Sequence, residues 1–544
     1  MTTAATYRTA VELVEALAES SGDITFPDGA PRLAHTDLPP LAQGAARLLR
    51  DEGVRPGSVV GVLTATEPSF FPALFGVLAA GAAVSVLPTP LLDPASAADR
   101  LAPIIDVAGM RELVVTAPFR PTAEALCALR PGLRVLDLSA PEPAAHPPAR
   151  LVRPDDPAVV QFTSGSTARP KGVVLTHSQL LSGITAIVSQ LRATPDDVFA
   201  QWVPLFHDLG LIGALTALAT PAPSHLFGPL GFIRNPERLL EYLADRGVTI
   251  CTGPNFGYER MIGAEPRIHP GGLGRWRLAI NGGETVTPRT VRRFRETFEP
   301  SGVADAAMYP CYGMAEATLA ITMPEPGEEP ATASVHRRHL NPGRPVVRVA
   351  DDHPDATEFV ALGRPVLGMR VRIVHGDRVL PEGTLGEIEI RGDAVTSGYL
   401  NDDTATAAAF HDGWLRTGDL GFQLDGQLYV VGRIKEMIVV HGRNFYPADV
   451  ENVARSVAGV HHGHAVAFAD ARHEQIVVVA ECAEPSDDRL GADIEAAVSE
   501  RLGLAAVRAR LVGRNRLPRT TSGKWKRLEI QRLHTPESLE RSRS

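Results

Sequence analysis

Two hydrophobic patterns alternate along about the first 300 residues of the chain. Short apolar runs rich in β-branched residues are separated by stretches in which apolar residues recur with helical spacing. Helix-like stretches include residues 236–247 and 289–300. The strand-like runs are VVGVLTA (59–65), AAVSVLP (82–88), ELVVTA (112–117), LRVLDL (133–138), AVVQFT (158–163), VTICTG (248–253) and LAINGG (278–283). This alternation predicts an α/β architecture with mainly parallel sheets.

The pattern changes from about residue 366, where short strands are separated by glycine turns, as in MRVRIV, GEIEIRG and GQLYVVG. These strands predict a smaller β subdomain beside the α/β part. A domain boundary is expected near Gly432-Arg433, and residues 433–544 alternate strands and helices as a small α+β unit of βαβ type. We therefore expect an α/β domain with a β subdomain over residues 1–432, and a second domain over 433–544.

Two further stretches carry structural predictions. Residues 323–361 are rich in Pro, Glu, Arg and His with little periodicity, which indicates a surface excursion. The most apolar stretch, Phe70 to Leu87, is split by Gly81, and we interpret it as a buried helix followed by a buried strand rather than a membrane span.

Composition narrows the class of protein. The chain has 544 residues, 44% hydrophobic and 22% charged, which fits a globular protein of two or more domains. A net charge of −9 argues against nucleic acid or an anionic membrane as partner. No CxxC pair and no signal-peptide pattern occur, so we expect a cytoplasmic protein without a disulfide framework or zinc ribbon.

Lysine is rare in this chain. Of 54 basic residues only four are lysines, namely Lys171, Lys435, Lys524 and Lys526. A retained lysine is a candidate for a place where a compact ammonium is needed and a planar guanidinium does not fit. Three of the four lie in loops suited to phosphate chemistry: Lys171 in a Gly/Ser/Thr loop, Lys435 after a Gly-Arg turn, and Lys524 after Thr-Thr-Ser-Gly.

The first motif runs from Thr163 to Gly172 and reads TSGSTARPKG. Hydroxyls, backbone N–H groups and one lysine between two strands can cradle a polyphosphate, although an ordinary Ser/Gly hairpin is the alternative. The Walker A spacing is absent, which argues against a P-loop kinase or NTPase.

Three more segments add candidate nucleotide contacts. One pair of segments is Asn281-Gly282-Gly283-Glu284, at the end of a predicted strand, and Tyr312-Gly313-Met314-Ala315-Glu316 after it. In these segments the glycines can admit a planar ligand, the tyrosine can stack on a purine, and a carboxylate can hold Mg²⁺. Thr417-Gly418-Asp419 precedes Gly432-Arg433, where a carboxylate and a guanidinium can share a ribose diol. The loop 518–524 presents Lys524.

In this order, the four segments resemble the superfamily of adenylate-forming enzymes, which includes acyl-CoA synthetases, adenylation domains of nonribosomal peptide synthetases and luciferases. The resemblance covers essentially the whole chain. It implies a small mobile C-terminal domain, ATP and Mg²⁺ as cofactors, and activation of a carboxylic acid, a fatty or other hydrophobic one, as its adenylate.

A narrower resemblance concerns the molecule that accepts the activated acyl group. The segments 202–213 (WVPLFHDLGLIG), 253–256, 312–319 and 442–447, together with the excursion, resemble fatty acyl-AMP ligases, which implies transfer to the phosphopantetheine of an acyl carrier protein or a polyketide or nonribosomal peptide synthase. Ala168 departs from this resemblance, since its position is commonly Gly, and the Lys171-Gly172 pair and 281–284 also resemble the CoA-forming branch. An acyl-CoA ligase using free CoA is therefore the alternative.

The resemblance also implies residue roles. Lys435 is the expected hinge, Glu316 the expected Mg²⁺ ligand, and Lys524, His207 and Glu316 are the expected catalytic residues, with His207 a wall between acyl pocket and nucleotide. The expected ATP and AMP contacts are Thr163, Ser164, Gly165, Ser166, Thr167, Lys171, Gly283, Glu284, Tyr312, Gly313, Met314, Asp419 and Arg433. The expected acyl pocket comprises Trp202, Phe206, Ile212, Asn255 and Phe256. The His461-His462-Gly463-His464 cluster is interpreted as structural, because no further ligand has the spacing of a metal site.

Overall fold

The structure is a computed structural model of the chain, and it describes residues 7–89, 93–138, 141–144, 152–163, 170–264, 268–441, 443–470, 472–504, 506–519 and 525–535. The helices are α1 (Ala10–Glu15), α2 (Leu38–Asp51), α3 (Phe70–Ala79), α4 (Pro94–Ala108), α5 (Arg120–Leu129), α6 (His177–Leu191), α7 (Asp208–Ala219), α8 (Pro229–Arg234), α9 (Pro236–Arg246), α10 (Asn255–Ile262), α11 (Pro288–Phe298), α12 (Asp403–Ala409), α13 (Pro447–Ser456), α14 (Asp488–Leu502) and α15 (Arg527–His534).

The strands before residue 330 are β1 (Asp23–Phe26), β2 (Ala30–Ala34), β3 (Val59–Leu63), β4 (Ala83–Val86), β5 (Glu112–Val115), β6 (Arg134–Leu136), β7 (Pro157–Thr163), β8 (Lys171–Thr176), β9 (Phe199–Gln201), β10 (Ser224–Leu226), β11 (Ile250–Gly253), β12 (Leu278–Asn281), β13 (Met308–Pro310), β14 (Tyr312–Gly313) and β15 (Ala320–Met323). The later strands are β16 (Thr332–His336), β17 (Ala356–Val360), β18 (Arg364–Pro365), β19 (Met369–His375), β20 (Arg378–Val379), β21 (Gly386–Gly392), β22 (Phe410–His411), β23 (Trp414–Leu424), β24 (Gln427–Arg433), β25 (Ile438–Val440), β26 (Arg443–Phe445), β27 (Ala465–Asp470), β28 (Gln475–Cys482) and β29 (Val507–Gly513).

The chain divides into two compact units, each assembled from several stretches. The first comprises Met1–Pro330, Leu362–Val371 and Ile390–Leu415, and the second comprises Ala331–Ala361, Arg372–Glu389 and Arg416–Ser544. The boundary expected at residues 432/433 falls inside the second unit. The division into compact units does not show which part of the chain moves. That residues 433–544 form a mobile domain therefore stays a prediction.

Two sheets organise the first unit. Among the described residues, one has the order β6-β5-β3-β4-β7-β8, in which neighbouring strands pair in parallel except for the antiparallel β7/β8 pair. The other has the order β13-β12-β11-β9-β10-β1-β2 and is parallel except for β1/β2. The predicted strand-like runs form β3 to β7, β11 and β12, which confirms the predicted α/β fold with mainly parallel sheets.

Apolar residues fill the spaces between sheets and helices. Side chains of α9, α10 and α11 pack on the second sheet in a cluster that includes Leu240, Tyr258 and Phe294. The stretch interpreted as helix then strand forms α3 and β4, both buried. Within the described residues, no helix has the length and apolarity needed to cross a membrane.

The second unit is built of short, mostly antiparallel pairings. β23 pairs with β24, β25 with β26, and β27 with β28, all antiparallel. β28, α14 and β29 form a parallel βαβ unit, with Ile476 opposite Val507. The short strands after 366 and the βαβ pattern are therefore confirmed.

The interpretation of 323–361 as a surface excursion is wrong. β16 and β17 form an antiparallel pair, and Ala333, Val335 and Leu340 are buried with Phe422 and Tyr446 in one hydrophobic cluster. These strands, TASVH and ATEFV, lack the continuous apolar runs by which the other strands were recognised, and their first residues, Thr332 and Ala356, are 24 positions apart.

Candidate active site

The strand order of the second sheet has a switch point at its carboxyl edge. From β9 the chain passes to β10 on one side and later to β11 on the other, so the connections that leave β9 and β11 diverge. In open α/β sheets, ligands bind outside the carboxyl ends of the strands at such a switch point. The segments that leave the sheet here are Trp202–Asp208 after β9, Asn255-Phe256 after β11, Gly283-Glu284 after β12 and Tyr312–Met314 after β13.

Contacts across this edge hold the segments in register. Gly253 at the end of β11 lies opposite Asn281 at the end of β12. The Asn281 amide donates to Oδ1 of Asn255 at 3.3 Å. A carboxylate oxygen of Glu284 accepts the N–H of Phe256 at the start of α10. The predicted adenine segment and the predicted acyl pocket are therefore joined by direct hydrogen bonds.

Two positions near this edge require glycine, one because of its backbone conformation and one because a side chain would not fit. Gly283 has a φ of 82°, in the left-handed region where a side chain is strained. At Gly313 a Cβ atom would lie 1.8 Å from the carbonyl oxygen of Leu319. Glycine at position 313 therefore lets the Tyr312–Met314 segment approach the backbone of Leu319, where the Met314 N–H donates to the Leu319 carbonyl at 2.8 Å.

The motif that is predicted to bind phosphate connects two antiparallel strands, as predicted. β7 ends at Thr163 and β8 begins at Lys171, and these two residues are directly opposite each other. Ser164, Gly165, Ser166 and Thr167 lie outside the described residues, so their predicted roles stay predictions. The register at the base of the hairpin sets Thr163 and Lys171 side by side.

Tyr399 connects Lys171 to Glu316. The Lys171 ammonium lies 4.8 Å from the centre of the Tyr399 ring, and the Tyr399 hydroxyl donates to Oε1 of Glu316 at 3.0 Å. Burial and the neighbouring negative charge of Glu316 raise the pKa of the Tyr399 hydroxyl, which stays protonated as a donor. The hairpin predicted to bind phosphate and the expected metal ligand are thus both in contact with Tyr399, a residue that no sequence motif indicated.

The geometry around Glu316 fits a magnesium ion. The side chain is buried, its carboxylate offers oxygen ligands, and its backbone carbonyl accepts the Thr396 N–H at 2.7 Å, which fixes the residue's position. Mg²⁺ is usually held by one or two carboxylates together with substrate phosphates and water. One carboxylate linked to the phosphate hairpin matches that donor set.

His207 stands at the entry to α7. Its Nδ1 lies 3.2 Å from Oδ1 of Asp208, which orients the imidazole. Gln161 of β7 donates to the Phe206 carbonyl at 2.6 Å. This second missed residue ties the strand that leads into the phosphate hairpin to the segment that carries His207.

The predicted acyl-pocket residues are largely buried. The Trp202 ring stacks on Phe232 at 3.9 Å and meets the Phe256 ring edge to face at 5.5 Å. Gly257 makes room for the indole, since a Cβ there would lie 2.3 Å from it. The structure therefore brings Trp202 and Phe256 together at the edge where Asn255 also lies, while Phe206 and Ile212 are buried before and within α7.

The remaining predicted residues belong to the second unit. Asp419 and Arg433 are opposite each other on β23 and β24, with Nε of Arg433 3.2 Å from Oδ1 of Asp419. Lys435 is exposed in a 3₁₀ turn, Ile434–Glu436. Lys524 lies outside the described residues, and its role stays a prediction.

Neither missed residue has a sequence signal that spacing rules detect. Tyr399 is 83 residues from its partner Glu316, and Gln161 is 45 residues from Phe206. Both contacts are produced by the fold. A tyrosine after Ser-Gly and a glutamine inside a buried strand are common features, and neither predicts a ligand site.

The switch point at the carboxyl edge, the base of the hairpin with Lys171 and the neighbouring Glu316 carboxylate have the chemistry expected of a nucleotide site. Residues 14–400 match the model of the AMP-binding enzyme family, and the chain belongs to that family.

Similar proteins include the long-chain-fatty-acid–AMP ligase FadD32 of Mycolicibacterium smegmatis, 32% identical over 91% of this chain and 87% of the relative. The medium-chain-fatty-acid–[acyl-carrier-protein] ligase JamA of Moorena producens is 36% identical over 69% of this chain and 67% of the relative. A solved structure from a study of fatty acyl-adenylate ligases of E. coli and L. pneumophila superposes with a TM-score of 0.90 at 27% identity, covering 99% of both chains.

Proposed function

We propose that this chain activates a hydrophobic carboxylic acid with ATP as an acyl adenylate and transfers the acyl group to the phosphopantetheine thiol of a carrier protein. The observation that carries the proposal is the link from Lys171 through Tyr399 to Glu316. This link belongs to the same compact unit as the carboxyl edge of the second sheet, from which the Trp202, Gly283 and Tyr312 segments extend. A cation for phosphate and a carboxylate for a metal ion then lie next to candidate adenine and acyl contacts. We infer that the reaction takes place in the cytoplasm.

In the first half-reaction, a carboxylate oxygen attacks the α-phosphorus of ATP. The new bond joins acyl oxygen to phosphorus, the bond to the bridging oxygen breaks, and pyrophosphate leaves. Both reactants are anions, so positive charge and hydrogen-bond donors near the reacting oxygens lower the barrier. We assign this to Lys524, and we assign the β- and γ-phosphates to Thr163, Lys171 and the hairpin residues Ser164, Ser166 and Thr167.

The nucleoside has its own contacts in this proposal. Gly283, Glu284, Tyr312, Gly313 and Met314 frame the adenine, and Asp419 with Arg433 binds the ribose hydroxyls. His207, oriented by Asp208, separates the acyl pocket from the nucleotide. Glu316 holds Mg²⁺, which when bound neutralises phosphate charge.

In the second half-reaction, the thiol sulfur attacks the acyl carbonyl, AMP leaves as the anion, and the thiol proton passes to solvent. The named activity of JamA on an acyl carrier protein and the similarity to FadD32 support a carrier protein as acceptor. A putative acyl-CoA synthetase of Caulobacter vibrioides, 33% identical over 89% of this chain, keeps free CoA as the alternative acceptor.

The test is the Lys524→Ala variant. We expect acid-dependent ATP–pyrophosphate exchange to fall by about 10²–10³, the usual cost of removing one donor that stabilises transition-state charge. Transfer from preformed acyl adenylate should remain largely intact, because Lys524 acts only in the first step.

Lys526→Ala is the matched control, since this lysine is two residues away and pairs with Glu529 at 3.1 Å. Its exchange rate should stay near that of the wild type. Near-normal exchange in Lys524→Ala would refute the assigned role.

A further inference from the structure

Trp202 carries a buried hydrogen-bond donor that has no acceptor. The side chain is 2% exposed, and its indole Nε1 has no hydrogen-bond partner among the described residues. Buried polar atoms are nearly always paired, because a donor that has lost water and gained no acceptor costs free energy. An unpaired donor in the predicted acyl pocket therefore indicates a group that a ligand completes.

Other aromatic residues of the same hydrophobic cluster have their polar atoms paired. The Nε1 of Trp276 donates to the Leu278 carbonyl at 3.0 Å. The Tyr258 hydroxyl lies 3.0 Å and 2.9 Å from the carbonyl oxygens of Cys251 and Ile280. Trp202 differs from both in its place, since it directly follows β9 at the carboxyl edge of the second sheet.

Asn281 provides an unpaired acceptor at the same edge. It ends β12, it is fully buried, and its Oδ1 has no donor among the residues that the structure describes. Its Nδ2 is used, because it donates to Oδ1 of Asn255 at 3.3 Å. That Asn255 oxygen also accepts the Thr287 N–H at 3.4 Å, so it must face the nitrogen of Asn281 and not the oxygen.

The unpaired donor and the unpaired acceptor lie on one face of the sheet. Trp202 and Met308 belong to one hydrophobic cluster, and the Asn281 Nδ2 lies 3.6 Å from the Met308 sulfur. Gly253, at the end of β11, is directly opposite Asn281, and a Cβ on Gly253 would lie 3.3 Å from the Trp202 Nε1. No side chain of Gly253 therefore separates the indole N–H from the carboxamide oxygen.

A hydroxyl group matches this pair of atoms. Neighbouring strands are about 4.8 Å apart, so an oxygen atom above Gly253 is within reach of both side chains. A hydroxyl accepts one hydrogen bond and donates another, which pairs the Trp202 N–H and the Asn281 oxygen together. A ketone or a carboxylate only accepts, and an ammonium group only donates, so each of these leaves one of the two atoms unpaired.

We propose that Trp202 and Asn281 are specificity-determining residues that bind a hydroxyl group on the substrate acid, so that the substrate class is hydrophobic carboxylic acids carrying a hydroxyl. The inference rests on the proposed function, in which Trp202 contacts the acyl group. An acid without the hydroxyl fills the pocket and leaves a buried donor and a buried acceptor unpaired. A site built to bind a hydroxyl discriminates against analogues that lack it for this reason.

The experiment measures kcat/KM for acid-dependent ATP–pyrophosphate exchange by the wild-type chain. The panel consists of straight-chain and phenyl-substituted acids, each unsubstituted, with one hydroxyl at successive positions, and with a methyl group at the same positions. The methyl group is similar to the hydroxyl in size and makes no hydrogen bond. We expect one position at which the hydroxylated acid exceeds both analogues by about 10–100-fold, the effect of leaving buried polar atoms unpaired.

Two variants assign the preference to this pair. Trp202→Phe keeps an aromatic ring beside Phe232 and removes the N–H, and Asn281→Leu removes the carboxamide oxygen. In each, the ratio of kcat/KM for the hydroxylated acid to that for its methyl analogue should fall towards one. Trp276→Phe is the matched control, since it makes the same change at a buried tryptophan whose N–H has a backbone partner, and it should keep the wild-type ratio.

The outcomes separate this inference from the proposed function. Exchange with unsubstituted acids and no preference for a hydroxyl at any position overturns the inference alone. A preference that persists in both Trp202→Phe and Asn281→Leu also overturns it, because other residues then bind the hydroxyl. If no acid of the panel supports exchange, the proposed function fails and the inference fails with it.

Discussion

At the scale of single residues, Tyr399 connects a candidate phosphate-binding cation with a candidate metal-binding carboxylate. Its ring lies under the Lys171 ammonium and its hydroxyl donates to the Glu316 carboxylate. A cation–π contact contributes about 0.5–2 kcal/mol and a hydrogen bond to a charged group about 1.5–3 kcal/mol. These energies are large enough to hold a lysine and a carboxylate in fixed relation before a nucleotide binds.

The first prediction concerns Glu316 and its partner. Glu316→Gln should raise the Mg²⁺ concentration needed for half-maximal ATP–pyrophosphate exchange, because the neutral isostere removes a charged oxygen ligand without changing shape. The melting temperature should change little. A metal titration of exchange activity measures the effect.

Tyr399 supplies the matched variant for this titration. Tyr399→Phe keeps the ring under Lys171 and removes only the hydroxyl that orients Glu316, so it should shift the Mg²⁺ dependence in the same direction by a smaller factor. If Glu316→Gln titrates like the wild type at limiting Mg²⁺, then the metal role is wrong.

From the sequence, functional residues can be predicted only where they lie close together along the chain. The TSGSTARPKG run could be recognised because its residues are contiguous, and the structure confirms that it joins two antiparallel strands. The role of Tyr399 could not be predicted, because its partners are 83 and 228 positions away and no spacing rule connects them.

At the scale of elements, the long hydrophobic patterns predicted the fold well. The buried strands β3, β4, β5, β11 and β12 carry continuous apolar runs, as expected for parallel strands covered on both faces. The pattern failed for β16 and β17, which lack a continuous apolar run and pack in one cluster with Phe422 and Tyr446 from later in the chain.

The element around Gly313 gives the second prediction. Gly313→Ala would place a Cβ 1.8 Å from the Leu319 carbonyl oxygen, so the backbone of the Tyr312–Met314 segment must shift. Overpacking of this kind costs about 1–3 kcal/mol, and we expect adenylation to fall with it, since Tyr312 and Glu316 move together.

Gly132→Ala is the control for this substitution, because no heavy atom lies within 4 Å of a Cβ at that position. Thermal unfolding and exchange activity measure both variants. Equal stability and activity of the two would show that the close approach at Gly313 has no consequence.

At the scale of the whole molecule, the proposed reaction comprises two half-reactions carried out by one chain. The structure divides the chain into two compact units, with the candidate phosphate and acyl residues in the first and Asp419, Arg433 and Lys435 in the second. Residues of both units are therefore needed for the complete reaction that we propose. If the predicted C-terminal domain rotates between the two half-reactions, a backbone position at the domain boundary must be able to change its φ and ψ angles.

The third prediction is for Lys435→Pro. Proline fixes φ near −65° and should lock the hinge in one orientation, so that adenylation survives and thioester formation fails. Lys435→Ala is the control, because it removes the ammonium and leaves the backbone free. Single-turnover assays of each half-reaction separate the steps, and thioester formation by Lys435→Pro at the wild-type rate would place the hinge elsewhere.

Mass spectrometry of the products formed from ATP, Mg²⁺ and a panel of carboxylic acids, with either a holo carrier protein or free CoA, tests the proposed adenylation and acyl transfer together. With an accepted acid alone we expect acyl adenylate and pyrophosphate. With the holo carrier protein we expect AMP and an acyl thioester on the phosphopantetheine, while CoA is a poor acceptor. Formation of ADP and phosphate, or nucleotide turnover that does not depend on the acid, would contradict the proposed reaction.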